Sequence, residues 1–351
     1  MKLTGYCLLV ALISFAIPRA EAILADSSYQ ASTSLHEHII DVYQFSASGS
    51  FIDNIVLRHN GILLVTRIDV PEVWSIDPRT GTASLIFNFR NKDAGISSCF
   101  GITEVAKDIF TVVTGEFDVG TFSATPGSFS VWKIDFTCQH HDETISDWQG
   151  TQRVPTVTRM VDILEAKALG ASTLFRSGVS SYLLLSESPR GTIWKVDLRT
   201  SRYSPALSEE SMLPITSGPT MGVNGIKVFE GYLYYASVTK GQLRRIPLSE
   251  TASATGPSEL VIHKTGVDNF DISKGGIVYL AASTENQILK LTTEGKILEV
   301  FGAENSTAIA GPTCCVLDLS GSKVFIGTNG GQFAPVNGRF MEPAKVAVIQ
   351  A

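Results

Sequence analysis

Three oxygen-bearing side chains are the first candidates for chemistry in this sequence. Asp53, Asn224 and Asp268 occupy the same place in three short apolar runs, Ile52-Asp53-Asn54-Ile55, Val223-Asn224-Gly225-Ile226 and Val267-Asp268-Asn269-Phe270. Two carboxylates and an amide, without His or Cys, are the ligand types of a hard divalent cation such as Ca²⁺ or Mg²⁺. The same groups can hydrogen-bond or protonate a substrate oxygen. Their competing, purely structural role is to hydrogen-bond their own turns at strand starts. They are candidates both for catalysis and for metal binding. A second set has the chemistry of substrate contact: Phe100, Tyr235 and Phe270 offer apolar area and stacking faces, and Arg67 and Glu187 offer charge.

A repeat must position these residues. Its template is Gly222 to Leu248. Here the runs Val223–Val228, Tyr232–Ser237 and Gln242–Leu248 are separated by turns at Glu230-Gly231 and Lys240-Gly241. These are strand and turn signals. The first run recurs at Ile52, Cys99, Leu169, Val267 and Pro312. The third recurs as Val73-Trp74-Ser75-Ile76-Asp77, Val131-Trp132-Lys133-Ile134-Asp135 and Ile193-Trp194-Lys195-Val196-Asp197. A fourth run follows most copies, at Ala83–Phe89, Val157–Ile163, Leu260–His263 and Ile297–Phe301. In the third copy it is weak, and Arg199 to Ser217 reads as a polar loop. The sixth copy ends at the C-terminus without a fourth run, and the spare run 38–45 can supply it. The expectation is an all-β, six-bladed β-propeller of four-stranded blades over residues 38–351, closed by the N-terminal strand. One helical turn is expected at Asp162 to Leu169.

Strand direction sorts the loops. In an up-and-down blade, the start of the first strand and the end of the second lie at one end. That end collects Asp53, Phe100, Gly170, Asn224, Asp268 and Thr313 from the first strands. It collects Arg67, Glu116, Glu187, Ser237, Ser283 and Thr328 from the second. Insertions at 116–128 and 329–343 rise from it and bring Phe117, Phe122, Phe333 and Phe340. The His140-His141 tract belongs to the opposite end. Ser186-Glu187-Ser188 lacks a strand-to-helix elbow, and Asn329-Gly330-Gly331 precedes no helix as a phosphate loop would.

Composition narrows the class. The chain has 351 residues and a net charge of −6, with no basic stripe. That argues against nucleic acid as a partner; the expected partners are small-molecule substrates. Residues 1–22 read as a signal peptide ending in Ala20-Glu21-Ala22, and 23–37 as a flexible lead-in. The expected localisation is the secretory route, with no membrane span after removal of the signal. Asn305-Ser306-Thr307 is a glycosylation sequon at Asn305. Loss of Cys7 with the signal leaves Cys99, Cys138, Cys314 and Cys315, whose pairing and the oligomeric state stay open.

The repeats resemble the senescence-marker-protein/gluconolactonase family of six-bladed propellers over about residues 40 to 350. In that family a Glu of the first copy, an Asn of an Asn-Gly pair and an Asp of an Asp-Gly pair bind a divalent metal. Asn224-Gly225 matches the second. Asp268-Asn269 keeps the Asp, and Asp53 stands where the Glu would be. Cys314-Cys315 matches a Cys pair of the last copy. The family's substrate-binding Arg and Asn are missing at Leu169-Gly170-Ala171. Val65-Thr66-Arg67 and Pro71-Glu72-Val73-Trp74-Ser75-Ile76-Asp77-Pro78 look like a fungal secondary-metabolite branch that includes hetero-Diels–Alderases. This resemblance implies addition of a tropolone-type quinone methide to a sesquiterpene polyene, with no cofactor required. Two alternatives stay open. One is a metal-dependent lactonase with Ca²⁺ or Mg²⁺ on Asp53, Asn224 and Asp268. The other is a non-catalytic ligand-binding propeller. A deep, aromatic-walled pocket under 116–128 and 329–343 favours the first reading. An open polar pocket with a bound metal favours the second, and a plugged or flat end the third.

Overall fold

Apolar alternation and tight turns set the local structure. In the template repeat, Val223–Phe229 and Tyr232–Ser237 pair antiparallel across Glu230-Gly231, whose φ angles are 47° and 79°. Positive φ at both central residues matches the right-handed twist of the flanking strands, and Gly231 adopts it without steric cost. The computed structural model describes residues 39–137, 155–217 and 219–351, which fall within one compact unit. The signal segment, the lead-in, Cys138 and the His140-His141 tract lie outside the described residues.

The strands form six four-stranded sheets and one two-stranded hairpin. The inner strands are Ile52–Leu57, Ser98–Ala106, Leu169–Ser177, Val223–Phe229, Val267–Ile272 and Pro312–Leu317. Each packs against the next, and the last packs against the first, so the sheets close into a ring. This is the expected six-bladed propeller. Six apolar clusters fill the spaces between blades. The repeated tryptophans are blade packing with satisfied indoles. Trp132 donates to Ser130 Oγ at 2.9 Å and Trp74 to Glu72 Oε2 at 2.8 Å.

Two local expectations are corrected. The third blade has a complete outer strand, Tyr203–Ser208, where the sequence reads as loop. An outermost strand is wet on one edge, so its polar residues and Pro205 cost little. Residues 163–168 hold a turn at 164–165 and no helix, while Asp162 and Leu169 belong to the flanking strands. The helical segments among the described residues are three 3₁₀ turns, at Phe89–Asn91, Glu210–Met212 and Ser283–Glu285.

The ring is closed as the missing fourth run requires. Ile40–Gln44 is the outermost strand of the sixth blade and pairs antiparallel with Lys345–Gln350. Closure removes exposed sheet edges at the seam. Phe45, at the end of the closing strand, meets Trp74 of the first blade edge-on at 5.4 Å. The buried Lys345 ammonium reaches Asp41 at 3.3 Å, Glu342 at 3.0 Å and the Thr307 carbonyl at 2.9 Å. Deleting residues 23–46 should therefore abolish cooperative thermal unfolding, because the sixth blade loses a strand and its clasp. Circular dichroism melting checks this, and an unchanged transition contradicts the closure.

Candidate functional site

One irregularity recurs in every blade and builds the site. Near its upper end each inner strand carries one extra residue relative to its partner. The register slips between Ile52 and Asn54, Cys99 and Ile102, Leu169 and Ser172, Val223 and Ile226, Val267 and Phe270, and Pro312 and Cys314. A bulge of this kind frees residues from the ladder and re-aims their side chains. The freed residues include Asp53, Phe100, Gly170, Asn224, Asp268 and Thr313, the set that the repeat register aligns. Asp53, Phe100, Gly170 and Asn224 line one cavity of about 300 Å³.

Asp53 and Asn224 are the polar inner-strand residues of this cavity. The Asn224 amide nitrogen donates to Asp268 Oδ1 at 2.8 Å, so Asp268 stands behind Asn224. Gly170 makes room for this amide: a Cβ there would lie 2.6 Å from Asn224 Oδ1. Asp53 and Asp268 keep some exposed area, yet protein surrounds both. Asp53 lines the cavity and Asp268 lies behind Asn224, both largely enclosed by protein. Burial pushes the Asp53 carboxyl up to about 7, against a smaller opposing pull from a hydrogen bond with Asn54. Burial, with the nearby Asp53 charge, drives Asp268 well above the usual carboxylate range, while Asn224 and the Asn269 backbone pull it down. Desolvation disfavours the charged form in both. At neutral pH the site therefore holds a carboxylic acid able to donate a proton.

The remaining wall is apolar. Phe100 lies edge-on to Phe117, with ring centres 5.6 Å apart. Phe117 meets Phe122 at 5.0 Å, and Phe122 meets Phe333 at 4.9 Å. Phe117 and Phe122 belong to the 116–128 insertion, where Phe117–Asp118 pairs with Ser123–Ala124. Phe333 belongs to the 329–343 insertion. The two insertions thus meet through aromatic contacts beside the mouth. Ile68, Leu169, Pro189 and Met221, with Ala124, Pro126 and Ala168, complete the apolar lining.

Four expected contact residues do not reach the cavity. Tyr235 is fully buried between the third and fourth blades, with its hydroxyl 2.7 Å from Ser211 Oγ. Phe270 is buried between the fourth and fifth. The extra residue at the bulge explains Phe270, because it reverses which face the following side chains take. Arg67 is buried against the Asp69 carboxylate, with its guanidinium 4.6 Å above the Phe45 ring. Glu187 is buried and accepts from Arg190 Nε at 2.8 Å, Trp194 Nε1 at 2.6 Å and the Lys167 amide at 2.9 Å. Phe340 is also absent from the lining. Conversely, Lys167, Pro189 and Met221 line the cavity without having been expected there. They lie on loops beside register positions, where a repeat pattern gives no signal.

Asp53, Asn224 and Asp268 fit a hard cation in kind, since an ion would offset two buried carboxyls. Among the described residues, no group of three or more His, Cys, Asp or Glu gathers to hold a metal. Cys99, Cys314 and Cys315 are free, buried thiols that burial holds in the protonated form.

With this geometry in hand, comparison with known proteins is informative. No family model matches the chain. By sequence, the chain is similar to hetero-Diels-Alderases. A Phoma sp protein provisionally given that name is 24% identical over 295 residues, covering 76% of this chain and 79% of its own length. A second, asR5 of Sarocladium schorii, also provisionally named, is 26% identical over 239 residues, covering 63% of this chain. The match spans 56% of that relative's length. By fold, a luciferin-regenerating enzyme aligns with a TM-score of 0.61 at 9% identity, covering 89% of this chain and 95% of its own. At that identity the likeness is one of fold alone.

The raised carboxyls give a pH dependence with a definite sign. Between pH 3.8 and about 7, Asp53 is protonated in the folded chain and ionised in the unfolded one. The folded state binds more protons there, so stability falls as pH rises through this window and flattens above it. Asp53→Asn should stabilise the protein at pH 8 and leave it nearly unchanged at pH 4, as read from urea unfolding at both values. Gly170→Ala, which forces a methyl group against Asn224, should cost about 1–3 kcal/mol in the same assay.

Proposed function

We propose that this protein is a cyclase of secondary metabolism that promotes an intermolecular hetero-Diels–Alder addition of a quinone methide to a cyclic polyene. The observation that carries this reading is the aromatic-walled cavity beside the two insertions, with the Asp53 carboxyl in its lining. The similarity to proteins named hetero-Diels-Alderases supports it. A volume of about 300 Å³ is at the small end for ligand sites. It suits one planar partner, with the second arriving at the mouth.

In this reading Asp53 donates its proton to a hydroxyl leaving from the quinone-methide precursor. Water departs, and an acidic hydroxyl on the precursor returns a proton to Asp53. The products of this step are the heterodiene and water, with the carboxyl restored. Phe100, Phe117 and Phe122 hold the planar diene by stacking and edge contacts. Asp53 or Asn224 then hydrogen-bonds the heterodiene oxygen as charge develops on it. Cycloaddition itself asks mainly for orientation, which supplies up to roughly 7–11 kcal/mol in well-aligned systems. A Ca²⁺ or Mg²⁺ ion on Asp53, Asn224 and Asp268 would, when bound, polarise the same oxygen as a Lewis acid. The cycloaddition we propose requires no cofactor.

We further propose that residues 1–22 direct the chain into the secretory route and that Asn305, which is exposed, carries a glycan. No helix among the described residues is long and apolar enough to cross a membrane.

The reaction is tested by incubating purified protein with a quinone-methide precursor and a cyclic polyene. The rate and the stereoisomer ratio are compared with the spontaneous reaction. One adduct should form faster than without protein. Phe100→Ala should erode the selectivity, and Asp53→Asn should slow adduct formation by about 10²-fold or more if proton donation limits it. An unchanged rate and ratio, with turnover of simple lactones that stops on chelation, would move the assignment to a hydrolase.

A further inference from the structure

The cavity has one cationic side chain, and the mechanism above leaves it unused. Lys167 is exposed at the lining, and its ammonium has no hydrogen-bond or ionic partner among the described residues. Asp53 is the one other ionisable side chain of the lining. The two belong to different sides of the cavity: Asp53 comes from the first blade and Lys167 leads into the third. Phe100 of the second blade lies between them in ring order.

The chain around Lys167 is clamped. Its backbone amide donates to the buried Glu187 carboxylate at 2.9 Å. Arg190 and Trp194 bind that same carboxylate, and Arg190 also grips the Glu165 carbonyl. Tyr203 donates its hydroxyl to the Glu165 carboxylate at 2.6 Å. One residue before Lys167, the Ala166 carbonyl accepts from Gly127 of the neighbouring insertion at 2.8 Å. The lysine thus projects from a fixed base while its charged tip stays free. This gives Glu187 an indirect role at the site: it positions the wall that carries Lys167.

We propose that Lys167 determines specificity by binding an acidic oxygen on the substrate, an ionised enol, phenol or carboxylate. This inference rests on the reading of the cavity as the substrate site. The planar apolar body lies against Phe100, Phe117 and Phe122, and the anionic end faces the lysine. Charge then fixes the orientation as well as the affinity. An anion turned the other way would forgo the lysine, the one cationic side chain of the lining. The end of the ligand facing Asp53 is therefore the uncharged one.

The test uses two probes of one shape, 2-naphthoate and 2-naphthamide, titrated into the full-length protein at pH 8 and low salt. The wild type should bind the carboxylate about tenfold more tightly than the amide, the range of a charge-assisted contact near a surface. Added salt should shrink the difference. Lys167→Gln should abolish the preference while keeping amide affinity, and Lys167→Arg should retain it. Because the side chain is exposed, neither variant should disturb folding. Equal affinity for the two probes in the wild type, or an unchanged preference in Lys167→Gln, overturns the role of Lys167 and leaves the apolar cavity reading standing. Failure of both probes to bind overturns that reading as well.

Discussion

Six strands converge on one axis, and the side chains they carry there have little room. That crowding governs the site. A regular strand would turn successive residues alternately into the two neighbouring blade interfaces. The extra residue near the top of each inner strand interrupts that alternation, and Asp53, Phe100, Gly170 and Asn224 come to line a shared cavity. The bulge gives up ladder hydrogen bonds locally. Ring closure by Ile40–Gln44 and the packed clusters between blades supply the rigidity that holds it.

The same crowding explains the electrostatics. Asp53 and Asp268 are brought close enough to feel each other, where the surrounding protein limits screening by water. Ionising both is unfavourable, so a proton is retained near neutrality. Aromatic rings from the second blade and the 116–128 insertion keep the adjoining space apolar. A group with acid chemistry thus lies beside a surface suited to planar apolar ligands. These two properties come from different parts of the chain. The acid belongs to the shared ring of bulged positions, and most of the aromatic wall belongs to the 116–128 insertion.

Much of this was legible from sequence, for a physical reason. Blades are copies, so their strands, their order and the incomplete sixth copy leave a repeated pattern of apolar runs and turns. The register of that pattern also gave Asp53, Phe100 and Asn224 their place at one end. What escaped was side-chain facing beyond the bulge. The pattern marks where Phe270 lies along its strand but not the extra residue that turns it into the fourth–fifth blade core. Tyr235 likewise has the spacing of a site residue and the burial of a core one. Charged residues were misread for another reason. Arg67 and Glu187 occur near the right end, yet Asp69 and Arg190 lie close by and neutralise them, and Trp194 adds a hydrogen bond to Glu187. Lys167 gave no signal, because its importance depends on the absence of a partner, which only the fold reveals.

The central claim is that a bulged, poorly hydrated position turns Asp53 into an acid that works at neutral pH. Carbon-13 NMR of the side-chain carboxyls, followed from pH 3 to pH 9, measures this directly. The account predicts one carboxyl resonance titrating near pH 7, absent from the spectrum of Asp53→Asn. If the resonance assigned to Asp53 instead titrates within the ordinary carboxylate range around pH 4, the site is hydrated and the acid chemistry proposed for it does not hold.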